Sequence, residues 1–171
     1  MSAPAPFETL FASRDSSLPL AFAAIVQVAD EHGLAPLGPL AVTYREDFLR
    51  VRAHVRGTSL PESGNLSVDD ARANLRASVL PRLELERVIT LPADWHDEAR
   101  VAVAPEVWTA VLPDRMGVVA RLLEAATRAL ERAETAGAAP AAPVAGGSRI
   151  ESHGLVKTYK GRRVVNDVSV A

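Results

Sequence analysis

The run DWHDE, Asp94 to Glu98, gathers three carboxylates, a histidine and a tryptophan into one turn. Oxygen and imidazole donors at that density could hold a divalent metal, and a carboxylate beside a histidine could exchange protons with a substrate. A second candidate is the row Arg50, Arg52, His54 and Arg56, which alternates with Leu49, Val51, Ala53 and Val55 and could meet an anion. Each has a plainer reading. Polar turns are ordinarily solvated, with Trp95 packing back on the core. A cationic row on a strand is ordinarily solvated or paired across the sheet, here with Glu84 and Glu86, which alternate in the same way. The plainer reading is favoured for both. Nor do His32, His54, His96 and His153 form a pair at H-x-x-x-H spacing, and the chain has no cysteine. Disulfides, thiol catalysis and thiolate metal sites are thereby excluded.

The elements that must position these residues follow from period and punctuation. LPLAFAAIV, Leu18 to Val26, is a nine-residue apolar run, far short of the roughly twenty residues of a membrane span, and it reads as a core helix capped by Ser17 and running through about Ala29, with Gly33 able to end it. Pro36 and Pro39 then forbid its continuation. From Leu40 the period changes: LAVTYR and FLRVRAHVR read as the arms of an antiparallel hairpin turning at Glu46-Asp47. GTSLPESGN, Gly57 to Asn65, is a loop. Ser67 opens a helix with Asp70 at the capping-box position, and Pro81 closes it. LELERVITL, Leu83 to Leu91, and RVAVA, Arg100 to Ala104, read as two further strands. Trp108 recurs with Val107 and Val111 as a core or interface residue. The last helix begins at Asp114 and carries Val119, Leu122, Leu123, Ala126, Leu130 and Ala133 on one stripe, which should cover one face of a small sheet. The fold class expected is α+β: a small antiparallel sheet covered by helices.

Charge divides the chain. Positions 1–148 hold 14 arginines against 19 carboxylates, a balance of −5, whereas positions 149–171 hold 5 basic residues against 2 acidic, a balance of +3. Between them TAGAAPAAPVAGGS, Thr135 to Ser148, keeps no apolar period and reads as a flexible linker. The organisation expected is an α+β domain over 1–134, a linker over 135–148 and a separate segment over 149–171. A net charge of −2 gives no general reason to expect nucleic acid as partner. With Glu8 and Asp15 where an export signal needs positive charge, and no apolar run long enough to span a bilayer, a cytoplasmic location is expected.

The final segment reads as two apolar strands, ESHGLVKTY and RRVVNDVSV, joined around Lys160-Gly161. Here LVKTYKGRRVVNDVSV resembles the opening of an ABC-transporter ATPase domain, and YKGRRVV, Tyr159 to Val165, is similar to the ATPase subunit of lipopolysaccharide-export transporters. The resemblance covers about 20 residues. It implies that Tyr159 stacks on the adenine of ATP, that Val164 packs beside the base and that Arg162 approaches the ribose or phosphates. A tyrosine face offers a base flat apolar area and a π surface. The resemblance further implies a parent protein that binds ATP with Mg²⁺, docks on membrane permease subunits and pairs with a second ATPase domain at the inner face of the membrane. The pattern G-x-x-x-x-G-K-S/T that cradles phosphates occurs nowhere in the chain, and neither do the downstream family motifs. Residues 1–171 are therefore expected not to hydrolyse ATP or to bind it tightly, and the chain is expected to be the N-terminal part of a longer protein. ADEHGLAPLGPLAVTY, Ala29 to Tyr44, is weakly similar to gyrase-inhibitor-like effector-binding domains. The alternative reading is a complete, non-enzymatic module that binds a small ligand or a protein and carries a basic C-terminal hairpin.

Overall fold

A computed structural model describes residues 6–58, 66–96, 98–138, 152–159 and 162–170. The chain divides into two compact units, residues 1–138 and 139–171.

The first unit is built around α1, Ser17–Val28, in which every residue from Leu18 to Val26 is buried. A helix apolar on all sides can only be stable if neighbours enclose it. The neighbours are α2 (Leu37–Arg56), α4 (Leu80–Leu85), α6 (Arg115–Ala138) and the short strand β1 (Leu34–Pro36). Phe22, Leu20, Ile25, Leu40, Leu75 and Leu122 lie at the centre, fully out of water. Each such side chain contributes roughly 1.5–3 kcal/mol through burial. Both ends of α1 are satisfied by polar groups from outside it. Asp15 accepts the Ser17 N–H at 2.9 Å, so it is the aspartate and not Ser17 that caps the start. At the other end the Arg115 guanidinium donates to the carbonyls of Val26 (2.8 Å), Gln27 (3.0 Å) and Ala29 (2.7 Å). These are carbonyls that a helix terminus leaves without partners, met here by a cation suited to the negative helix end.

Residues 40–56 are not a hairpin. They form α2, and the reason lies in three local features. Pro39 sits in the first turn, where a helix needs no N–H from it. Leu40, Tyr44, Asp47, Val51 and Val55 recur at helical spacing, and the first four are buried. Gly57, at φ +61°, then ends the helix, with its N–H to the His54 carbonyl and the Thr58 N–H to Ala53.

Ser67 and Asp70 form the expected capping box at the start of α3, Val68–Asn74. Pro81 does not close that helix. Leu75–Val79 widens into a π-helical turn, with the Leu80 N–H reaching back to Leu75, and α4 continues beyond it. The wider turn lies just ahead of the position where a regular helix would need the N–H that proline lacks. Leu83–Leu91 is correspondingly not one strand. Leu83 to Leu85 belong to α4, Arg87 turns the chain at φ +59°, and only Ile89–Thr90 (β2) is extended. Strand β3, Arg100–Val103, takes the middle of an antiparallel sheet of order β1-β3-β2, pairing Leu34 with Ala102 and Ile89 with Val103. The α+β class therefore holds, with helix where one hairpin was expected.

After α5 (Pro105–Val111), α6 packs on α1 and α2, since the element expected to supply sheet beneath it is itself a helix. Val119, Leu122 and Ala126 of its stripe are buried, whereas Ala133 is exposed. The helix runs through Ala138, four residues into the stretch read as linker; residues 139–148 lie outside the described part. No helix among the described residues is long and apolar enough to cross a membrane.

The second unit is an antiparallel pair, β4 (Ser152–Tyr159) and β5 (Arg162–Val170). Tyr159 pairs with Arg162 and Thr158 with Arg163, but Lys157 pairs with Val165, so Val164 falls at a bulge.

Candidate functional site

The three residues to which the family resemblance gives a nucleotide role lie at one end of this hairpin. Tyr159 closes β4, Arg162 opens β5 as its register partner, and Val164 is the extra residue of the bulge. The joining residues Lys160 and Gly161, and the side-chain roles of Tyr159, Arg162 and Val164, lie outside the described part.

The arginine row of the first unit is dissolved by α2. At about 100° per residue Arg50 and His54 share one helical row, and Arg52 and Arg56 another. Arg50 donates to Asp47 at 3.0 Å and Arg56 to Glu134 of α6 at 2.8 Å. Glu84 and Glu86 are not their partners: Glu84 accepts the Leu91 N–H, and Glu86 accepts the Thr9 hydroxyl at 3.5 Å.

What the helix creates instead is a buried carboxylate. Asp47 is 2% exposed and is the one charged residue buried among those described. Its Oδ2 accepts from the Gln27 amide at 2.6 Å and its Oδ1 from Arg50. Burial drives its pKa up, against the Gln27 hydrogen bond and the Arg50 charge, which lower it. Beside it Val51, His54, Leu123, Glu124 and Thr127 line a groove of about 280 Å³ between α2 and α6. A carboxylate held this way can keep a proton to higher pH than usual or accept a cation. The hairpin reading placed Asp47 at a turn. Its place on the Leu40, Tyr44, Val51 stripe was the signal that could have found it.

A second cleft, about 350 Å³, is lined by Asp15, Ser17, Tyr44, Asn74, Ser78 and Arg82 among others. Burial of Asp15 raises its pKa, but the Ser17 hydroxyl and N–H and the Arg82 guanidinium outweigh this and hold it below the usual carboxylate range. Tyr44 is pushed up to about 12, by burial first and by the Asp15 charge second. Its hydroxyl donates to Asn74 at 3.4 Å, so at neutral pH it is a hydrogen-bonding group and not a base.

The DWHDE turn opens a third cleft, of about 160 Å³. Trp95 is half-buried against the core, as expected, and the Arg76 guanidinium lies 5.3 Å over its ring. Leu37, Gly38, Arg72, Leu75 and His96 also line it among the described residues. Asp94 and Glu98 are exposed, and Asp97 lies outside the described part. Among the described residues no three histidine, aspartate or glutamate side chains are grouped to hold a metal. Trp108 is a core residue, its indole N–H donated to the Glu31 carbonyl at 3.0 Å. Its ring lies 3.0 Å from where a side chain on Gly33 would begin, and with φ +79° this makes glycine the fitting residue there.

Compared with known proteins, the chain matches no family model, no curated protein and no solved structure. The stretch Ala29 to Tyr44 that is similar to effector-binding domains passes from the end of α1 through three residues of β1 into α2.

Proposed function

We propose that residues 149–171 open an ATP-binding domain of an ABC transporter, of the lipopolysaccharide-export type, and that the helical α+β unit is a regulatory or adaptor domain N-terminal to it. The observation that carries this reading is the run LVKTYKGRRVVNDVSV, with Tyr159 at the end of β4 opposite Arg162. A two-stranded ribbon is marginally stable by itself in water, so the unit is better suited to be part of a larger sheet. In the parent protein Tyr159 stacks on adenine, Arg162 meets the ribose or phosphates and Val164 packs beside the base. Phosphate and Mg²⁺ are held by motifs absent from residues 1–171. The protein acts at the cytoplasmic face of the membrane with permease subunits and a second ATPase domain.

The adenine role has a specific test in the parent protein. Aromatic stacking on a base is worth about 1–3 kcal/mol, so Tyr159→Ala should weaken ATP at least several-fold and leave inorganic triphosphate unchanged. Unaltered ATP affinity, or an equal loss for triphosphate, would contradict the assignment. The second reading, a small-ligand module, draws its support from the clefts of the first unit and is compatible with a regulatory role for it.

A further inference from the structure

We propose that the cleft beneath Trp95 binds a phosphate group, as the free ion or at the end of a small metabolite. The geometry of Arg76 points there first. Its guanidinium carbon lies 5.3 Å from the centre of the Trp95 ring, a cation–π contact that spends none of its N–H donors. Among the described residues Arg76 makes no ion pair and no hydrogen bond. A planar fork beside an aromatic ring, with its donors unspent, can bind an oxyanion through two parallel hydrogen bonds.

Three further groups reach the same cleft from different elements. Arg72 precedes Arg76 by one helical turn and lines the same wall, its charge already engaged by partners that include Asp69 at 3.9 Å. His96 comes from the loop after Trp95. Gly38 comes from the first turn of α2, where Leu37 gives its N–H to the Ala99 carbonyl and Pro39 has none to give. The Gly38 N–H finds no acceptor among the described residues, and nothing lies within 4 Å of where its Cβ would stand. Donors arriving from α2, from the helix carrying Arg72 and Arg76, and from a loop suit a tetrahedral anion better than a flat carboxylate. The cleft, at about 160 Å³, has room for such a group.

The test is a titration of residues 1–171 with inorganic phosphate at low ionic strength, followed by heat and by tryptophan emission. Saturable binding is expected, with an emission change that Trp95→Phe abolishes. Arg76→Ala should weaken binding about tenfold or more, the worth of one charged hydrogen bond. Arg76→Lys keeps the charge and loses the planar fork; it should weaken binding too, and it decides the matter if the alanine variant loses ellipticity. Glycerol phosphate distinguishes the sources: tighter binding than phosphate identifies an esterified ligand, and equal binding the free ion. No saturable binding, undiminished affinity in both Arg76 variants, or equal competition by acetate would overturn the proposal.

Discussion

Asp47 carries an uncommon combination, a carboxylate almost fully out of water whose partners are one amide and one exposed arginine. With its folded pKa raised above the unfolded value by burial, the native state binds the proton more tightly. Between those two values the folded chain holds more protons than the unfolded chain, so this residue's contribution to stability falls as pH rises through the folded pKa. Asp47→Asn removes the titration and keeps an acceptor for Gln27. The melting temperature of the wild type relative to this variant should therefore climb as pH is lowered through the folded pKa towards the usual aspartate value. Asp15, Asp30 and Asp70, whose pKa values are lowered, titrate in both proteins and cancel in the comparison. A difference that stays flat with pH, or shrinks, would show that burial does not govern this carboxylate. The sequence could not expose such a residue while its surroundings were read as a turn.

At the scale of elements, two helix starts were legible where the period and the helix ends were not. The Ser67–Asp70 box and the helix beginning beside Asp114, whose carboxylate accepts the Gly117 N–H at 3.2 Å, are found where expected. The alternation from Leu49 to Val55 misled because α2 is covered on two sides. Leu49 and Ala53 form one i,i+4 row and Val51 and Val55 another, and burying both rows makes a helix alternate like a strand. Gly57 was the decisive local sign, since a left-handed glycine after a final Arg is a helix end. The turn after α4 has the same construction without the glycine. Arg87 N–H bonds to the Glu84 carbonyl and Val88 N–H to Leu83, with Arg87 in the left-handed region. An arginine there disguises the helix end, which is why LELERVITL read as one strand. Arg87→Gly should relieve the steric cost and stabilise the unit by a few tenths to about 1 kcal/mol, read as a rise in melting temperature. A fall would mean that the Arg87 side chain contributes more than its backbone costs.

The whole molecule consists of two units of opposite charge balance, and they differ in how they can be understood. The first has a core that the sequence foretold in outline: the buried run of α1, the stripe of α6 and the central strand β3. Its clefts were not foretold, because Arg76, Gly38 and Trp95 meet only after the helix from Val68 to Leu85 and the first turn of α2 come together. Proximity of that type leaves no mark in spacing along the chain. For the second unit the relation is reversed. Its residues speak more clearly than its two strands, since the adenine-stacking role proposed for Tyr159 rests on the resemblance of LVKTYKGRRVVNDVSV to the opening of a family and on no comparison that matches the chain. The central claim is accordingly about what the hairpin belongs to, and the most direct measurement is to sequence the encoding DNA beyond codon 171. The account predicts an open frame in which G-x-x-x-x-G-K-S/T soon appears, bringing the phosphate-binding backbone and lysine that complete an ATP site. A stop codon directly after Ala171, or a continuing frame without that motif, would contradict it.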